Sequence, residues 1–121
     1  MKNSVHALLL SLALSTPVVA LAAPGPLQAA PDMYKLLFEN DKVRVMEVMF
    51  KPGQQIAKHT HPTEHFITVL APGTLTIFKE DGTSTVNELH MDQVVWMSAE
   101  THWAKNTGKS EVKLLVTEIK H

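Results

Sequence analysis

The chain is a succession of short apolar runs, each cut off by a turn. Val43-Arg44-Val45-Met46-Glu47-Val48-Met49-Phe50 is dense in β-branched and apolar residues and stops at Lys51-Pro52-Gly53. Proline presets φ there and glycine accepts positive φ, so the stop has a mechanism. Phe66 to Leu70 stops at Pro72-Gly73. Leu75 to Phe78 stops at Glu80-Asp81-Gly82-Thr83, and Asp-Gly is a strong hairpin signal. Thr85 to Leu89, Val94 to Met97 and Val112 to Ile119 complete the series, with Asn106-Thr107-Gly108 as a further turn. No stretch keeps a helical period over a dozen residues. Strands this short and evenly spaced predict an all-β sandwich or barrel, and 121 residues make one domain.

The first 22 residues follow a different pattern. Lys2 is followed by a nearly all-apolar run from Val5 to Leu14, and Ala20-Leu21-Ala22 is a small-x-small cleavage site. That layout predicts a secretory signal peptide over residues 1–22, cut after Ala22. The apolar run is interrupted by Ser11, Ser15, Thr16 and Pro17, whereas a membrane span needs ~20 apolar residues. A periplasmic or secreted protein follows, with no membrane attachment after cleavage. Residues 23–32, with Pro24, Gly25, Pro26 and Pro31, read as a flexible leader, and residues 33–121 as the folded domain.

Composition removes several function classes. With no cysteine, neither a disulfide framework nor a thiolate metal site can form. Lys+Arg number 11 against 12 Asp+Glu, without a basic stripe, so nothing points to nucleic acid. A domain this small buries a modest core. Phe66 and Ile119 are candidates for a sheet face that pairs with a second copy, so a homodimer is expected.

Four of the seven histidines demand an explanation. His59 and His61 are two apart, so on a strand they share a face with Cα atoms about 6–7 Å apart, which suits joint ligation of one ion. His65 has the same parity but lies past Pro62-Thr63, so a bend intervenes. Parity then puts His65, Ile67 and Val69 on one face and Phe66, Thr68 and Leu70 on the other. His102 begins a later strand. Imidazoles from three or four strands converge only inside a barrel or between sheets. The pattern therefore predicts a site for one divalent transition metal held by His59, His61, His65 and His102.

Imidazole suits zinc, copper, iron or nickel. Four neutral imidazoles leave the ion's charge uncancelled, which favours a small anionic ligand. Arg44, the only arginine, is a candidate substrate anchor through its carboxylate-matching fork. The other reading pairs it with Glu47 or Glu118. Ile67 and Val69 are candidate ligand contacts beside His65. Trp103 follows His102 directly and should point away from the ion. The methionines read as core packing. His90 reads as a surface residue, and His6 and His121 carry no information.

Gly53-x5-His59-x-His61-x3-His65 resembles the first motif of the cupin family, with His65 where the family usually has glutamate and Gly73 closing the segment. Met91-x5-Met97-x-Ala99-x2-His102-x3-Asn106 resembles the second, keeping the histidine and asparagine while both glycines and the proline are replaced. Asn40-Asp41-Lys42-Val43-Arg44-Val45 and Val94-Val95-Trp96 are similar to small exported cupins described as β-alanine degradation proteins. The resemblance spans roughly residues 35–120. It implies a jelly-roll β-barrel, or double-stranded β-helix, with a metal in its wide mouth and His59, His61 and His102 as ligands, and with Glu64 as the alternative to His65 if the register slips by one. Two functions fit. One is a metal-dependent oxidoreductase of dioxygenase type, or an isomerase, acting on a small carboxylate or diketone. The other is a non-catalytic protein that binds a metal or small ligand outside the cytoplasm.

Overall fold

A computed structural model of the protein describes Ala13 and residues 23–121. The signal peptide expected over residues 1–22, His6 included, otherwise lies outside the described residues. The described residues form one short helical turn, α1 (Pro26–Ala29), and nine strands. These are β1 (Tyr34–Glu39), β2 (Val43–Phe50), β3 (Gln55–His61), β4 (His65–Ala71), β5 (Gly73–Lys79), β6 (Ser84–Leu89), β7 (Val94–Met97), β8 (Glu100–Asn106) and β9 (Val112–Ile119). Two antiparallel sheets result, ordered β1-β2-β9-β4-β7 and β3-β8-β5-β6. This is the expected all-β jelly roll.

The alternation within β2 and β9 builds the core. Met46, Val48 and Phe50 are buried on β2, and Val112, Leu114 and Val116 on β9. The two strands pair along their whole length without a register shift, so these six side chains line one face. Val69, Ile56, Leu75 and Ala104 complete the core from the other strands. The opposite face of the five-stranded sheet carries an apolar patch on β4 and β7, beside the Glu47–Lys113 ion pair. Phe66 stacks on Trp96, and Phe38, Val94 and Trp96 are 53%, 62% and 58% exposed.

Three strands were not delimited by the apolar runs. β3 and β8 carry the polar residues of the site, which interrupt the β signal. In β1 only Tyr34 is buried, and a register shift falls between Leu36 and Phe38.

The segment expected as a flexible leader, residues 23–32, packs against the barrel. Pro26 is buried in α1, and Ala30 joins the core. The Thr60 amide donates to the Pro24 carbonyl at 2.8 Å, and the Met49 amide to the Met33 carbonyl at 3.2 Å. The physical reason lies in β3, an edge strand whose outward amides need acceptors.

Asn106 closes the structure far from the leader. It is fully buried; its Nδ2 donates to the carbonyls of Phe50 (3.0 Å) and Ser110 (2.8 Å), and its Oδ1 accepts from the Gly108 amide at 3.0 Å. One side chain thus ties the end of β2 to the β8–β9 turn. Gly73 permits the neighbouring close approach, since a Cβ there would lie 2.6 Å from Val112 Cγ2. Asn106→Ala should strand these buried groups and lower the free energy of unfolding by about 2–3 kcal/mol, read from urea denaturation monitored by tryptophan fluorescence.

Candidate metal centre

The two sheets bring the four histidines into one place. His59 on β3 sits directly opposite His102 on β8, and His61 pairs with Glu100. These four residues therefore share a face, and it is the face turned to the core. β4 supplies His65 from the other sheet. All four histidines are buried. The ligand atoms of His59, His61 and His102 lie within 4.8 Å of one another, a group that could hold a metal ion. His65 lies outside that group, with its ring stacked on His61 at a centroid distance of 4.1 Å. Glu64, the alternative, is exposed at the surface, and its carbonyl accepts from the Ile119 amide.

Each ring is oriented by an acceptor on its Nδ1. His59 Nδ1 faces the Ala57 carbonyl at 2.9 Å, and His65 Nδ1 the Thr63 carbonyl at 3.3 Å. His61 Nδ1 lies 2.9 Å from Glu118, and His102 Nδ1 lies 2.8 Å from Glu100. Carbonyls and carboxylates only accept, so each Nδ1 carries a proton, and a ring in its neutral form presents a bare Nε2 lone pair. His59 Nε2 is then 3.1 Å from His61 Nε2 and 3.1 Å from His102 Nε2. Lone pairs facing at that distance repel unless a cation lies among them. His65 Nε2 is buried without any hydrogen-bond partner.

A proton is a poor candidate for that cation. Burial pushes His59 down to about 4, with the neighbouring His61 adding to the effect and the Ala57 carbonyl opposing it. Burial likewise takes His65 down to about 4, and His102 to about 2, where His59 and His61 reinforce it. These three rings are neutral at pH 7 and present the form a metal requires.

Glu118 organises the opposite wall. It pairs with Arg44 on β2 and with His65 on β4, which in turn pairs with Met97 on β7. Arg44, Glu118, His65 and Met97 thus form one row on the inner face. Arg44 Nε donates to Glu118 Oε1 at 2.8 Å, and Nη2 reaches the same oxygen. Burial alone would raise the Glu118 carboxyl, but the His61 hydrogen bond and the Arg44 charge hold it below the usual carboxylate range.

Arg44 therefore does not serve as the substrate anchor. Its guanidinium is committed to Glu118, one of the two partners considered, and it does not line the cavity. Glu47 faces Lys113 instead. Of the two candidate contacts on β4, Ile67 lines the cavity, whereas Val69 is sealed in the core. Trp103 points away from the site, as expected, and stacks on Phe78.

The cavity beside the histidines measures about 240 Å³. That exceeds the ~150 Å³ apolar cavity known to hold one benzene. Val48, Leu75, Ile77 and Val95 are among its apolar walls, and Asn87, Gln93 and Tyr34 its uncharged polar groups. Among the described residues lining it there is no Lys or Arg. Burial, seconded by the Glu118 charge, pushes the Tyr34 hydroxyl pKa up, so this group is a neutral phenol.

Three residues of the centre escaped sequence reasoning. Glu100 precedes His102 by two and so shares its face, a parity signal that was there to read. Glu118 interrupts the apolar inner row of β9, yet it was weighed only as a partner for Arg44. Tyr34 gave no signal, because its strand has no alternation.

The cupin domain family matches residues 46–118 of the chain. Among solved structures, a cupin domain protein from Bordetella pertussis Tohama I is similar at 21% identity and a TM-score of 0.69, covering 84% of this chain and 100% of that one. An RmlC-like cupin family protein with a double-stranded β-helix fold, from Methanocaldococcus jannaschii, is similar at 16% identity and a TM-score of 0.61, covering 73% and 79%. No curated protein matches the chain.

The histidine environment sets a pH dependence. Folded pKa values below the unfolded 6.5 mean that the unfolded chain binds more protons, so stability is fully present above about 6.5 and falls as pH drops toward the folded values. Chelator-treated protein should lose about 2 kcal/mol or more of unfolding free energy between pH 7.5 and pH 5.0 in urea titrations, with net proton uptake on unfolding. Equal urea midpoints at the two pH values would contradict the neutral-histidine assignment.

Proposed function

The chain belongs to the cupin family, and from that footing we propose that it is a metalloprotein in which His59, His61 and His102 hold one divalent transition ion, with His65 as the fourth ligand. The observation that carries this reading is the set of bare Nε2 atoms turned on one another, each ring fixed by an acceptor on its Nδ1. All-imidazole donors suit zinc, copper, iron or nickel.

The proposed activity is that of a metal-dependent oxidoreductase of dioxygenase type, acting on a small carboxylate or diketone. When bound, the ion supplies Lewis acidity and positions for exogenous ligands. The protein contributes a mostly apolar chamber and no competing cation, so an anionic ligand finds its counter-charge at the ion. Glu100 and Glu118 are occupied on His102 and His61, and Glu88 on Thr74. Neither carboxylate on the histidine rings is therefore free as a general base, which suits chemistry centred on the ion.

The same absence supports a second reading, a non-catalytic cupin that captures a metal or small ligand. Oxygen uptake separates the two. Metal-loaded protein that consumes oxygen with small β-diketones or keto acids is the enzyme; a loaded protein silent across that panel is the binder.

Export completes the proposal: the signal peptide is removed after Ala22 and the protein works in the periplasm or outside the cell. Pro24, the second residue after that cut, already holds Thr60. The finer likeness to exported cupins of the β-alanine degradation type belongs with this reading. We also propose a homodimer formed through the apolar outer face around Phe66 and Trp96.

Elemental analysis tests the centre. Wild-type protein should carry close to one ion per chain, and His102→Ala should carry almost none. Equal, substoichiometric loading of both would dispose of the site. Arg44→Met, which touches no ligand directly, should weaken metal affinity about 10–100-fold by releasing Glu118 from its position on His61. Sedimentation velocity should show Trp96→Lys shifting the protein from dimer to monomer.

A further inference from the structure

We propose that Tyr34 donates the hydrogen bond that fixes an anionic oxygen atom of whatever ligand the histidine centre binds. The inference rests on the metal-centre reading and extends it to ligand selection.

Tyr34 is the first residue of β1, and it alone of that strand is buried. Its amide donates to the Ala30 carbonyl at 3.0 Å, and it pairs with Val48 in register. The folded leader and the core strand thus hold its backbone from both sides. The ring meets His59 edge-on, with centroids 6.1 Å apart and planes at 67°. Among the described residues that line the cavity, Tyr34 alone carries a hydroxyl.

That hydroxyl makes no hydrogen bond to a described residue, and it is not sealed from solvent, since His65 Nε2 is the sole sealed, unpartnered side-chain atom among them. A phenol so placed is free to donate to a ligand in the chamber. The nearby candidate acceptor, Glu118, is already engaged by Arg44 and His61. Tyr34 and His65 thus line the same chamber, the first with a hydroxyl that no described residue engages and the second with a sealed, unpartnered Nε2. The nitrogen calls for a cation, and the hydroxyl calls for an acceptor next to that cation. A cation at the centre that carries an oxygen anion answers both.

Asn87 and Gln93 do not duplicate this role. They sit on β6 and in the turn before β7, at the far edges of the two sheets, whereas β1 and β3 are the edges joined by the leader. The predicted ligand class is an oxygen-donor monoanion, a carboxylate or enolate, with an uncharged body lying along the apolar walls. A neutral nitrogen donor satisfies the ion but gives the phenol no anionic acceptor.

The test uses full-length mature protein loaded with Co(II), whose d–d absorption reports ligand binding. Acetate serves as the oxygen-anion probe and imidazole as the neutral nitrogen probe. Tyr34→Phe keeps the ring against His59 and removes only the hydroxyl. It should weaken acetate binding about tenfold, the loss of one hydrogen bond to a charged acceptor, while imidazole and Co(II) affinities stay within about twofold. Unchanged acetate affinity would overturn the assignment. Parallel weakening of acetate and imidazole, or a loss of Co(II) affinity, would also overturn it by making Tyr34 a packing support for His59. Wild-type protein that takes up no Co(II) removes the metal centre itself, and this inference with it.

Discussion

Three imidazole Nε2 atoms are turned toward one another, and much of the structure serves to keep them so. Left free, each ring would turn its lone pair toward solvent or toward a donor. The fold prevents that by anchoring every Nδ1 to an oxygen that can only accept. Those oxygens come from β3, β8 and β9, so the arrangement exists only when both sheets are formed. A site held in this way has its rings fixed in the orientation that a shared ion requires.

The electrostatics differ from what a bare set of four histidines implies. Seen as imidazoles alone, the site would leave a divalent ion its full charge. The structure adds Glu100 behind His102 and Glu118 behind His61, then cancels one of these charges with Arg44. About one negative charge remains against the rings, which makes the ligands more basic and tempers the centre's attraction for anions. The family's usual glutamate ligand is absent, yet part of its electrostatic effect returns one layer further out.

The sequence disclosed this fold unevenly, for physical reasons. Strands ended by Pro-Gly or Asp-Gly were legible because the turn residues and the apolar alternation are local. β3 and β8 were obscured by the polar groups they carry to the site, and β1 by its exposure. His59, His61 and His65 share a parity, and convergence with His102 required an interior. Arg44 could not be placed in that way, because its partner Glu118 lies 74 residues away and meets it only through the β2–β9 register. The second motif shows a smaller displacement. Its first glycine position falls on Met91, but the residue in the left-handed region is Asp92, with φ of 64°. Aspartate tolerates that conformation, so the turn survives without glycine.

The leader's contact with β3 has a consequence for how the barrel meets other chains. An edge strand offers a row of amides on which a foreign strand can grow. Here the first group to reach that edge is the Pro24 carbonyl, which accepts from Thr60 between two of the histidines. Proline has no amide hydrogen to give back, and Pro26 follows two residues later, so the leader satisfies the edge without becoming a strand that could itself be extended. At the other sheet's margins, β1 is broken by a register shift and β7 is four residues long. These three margins are thereby blunted against strand-by-strand growth.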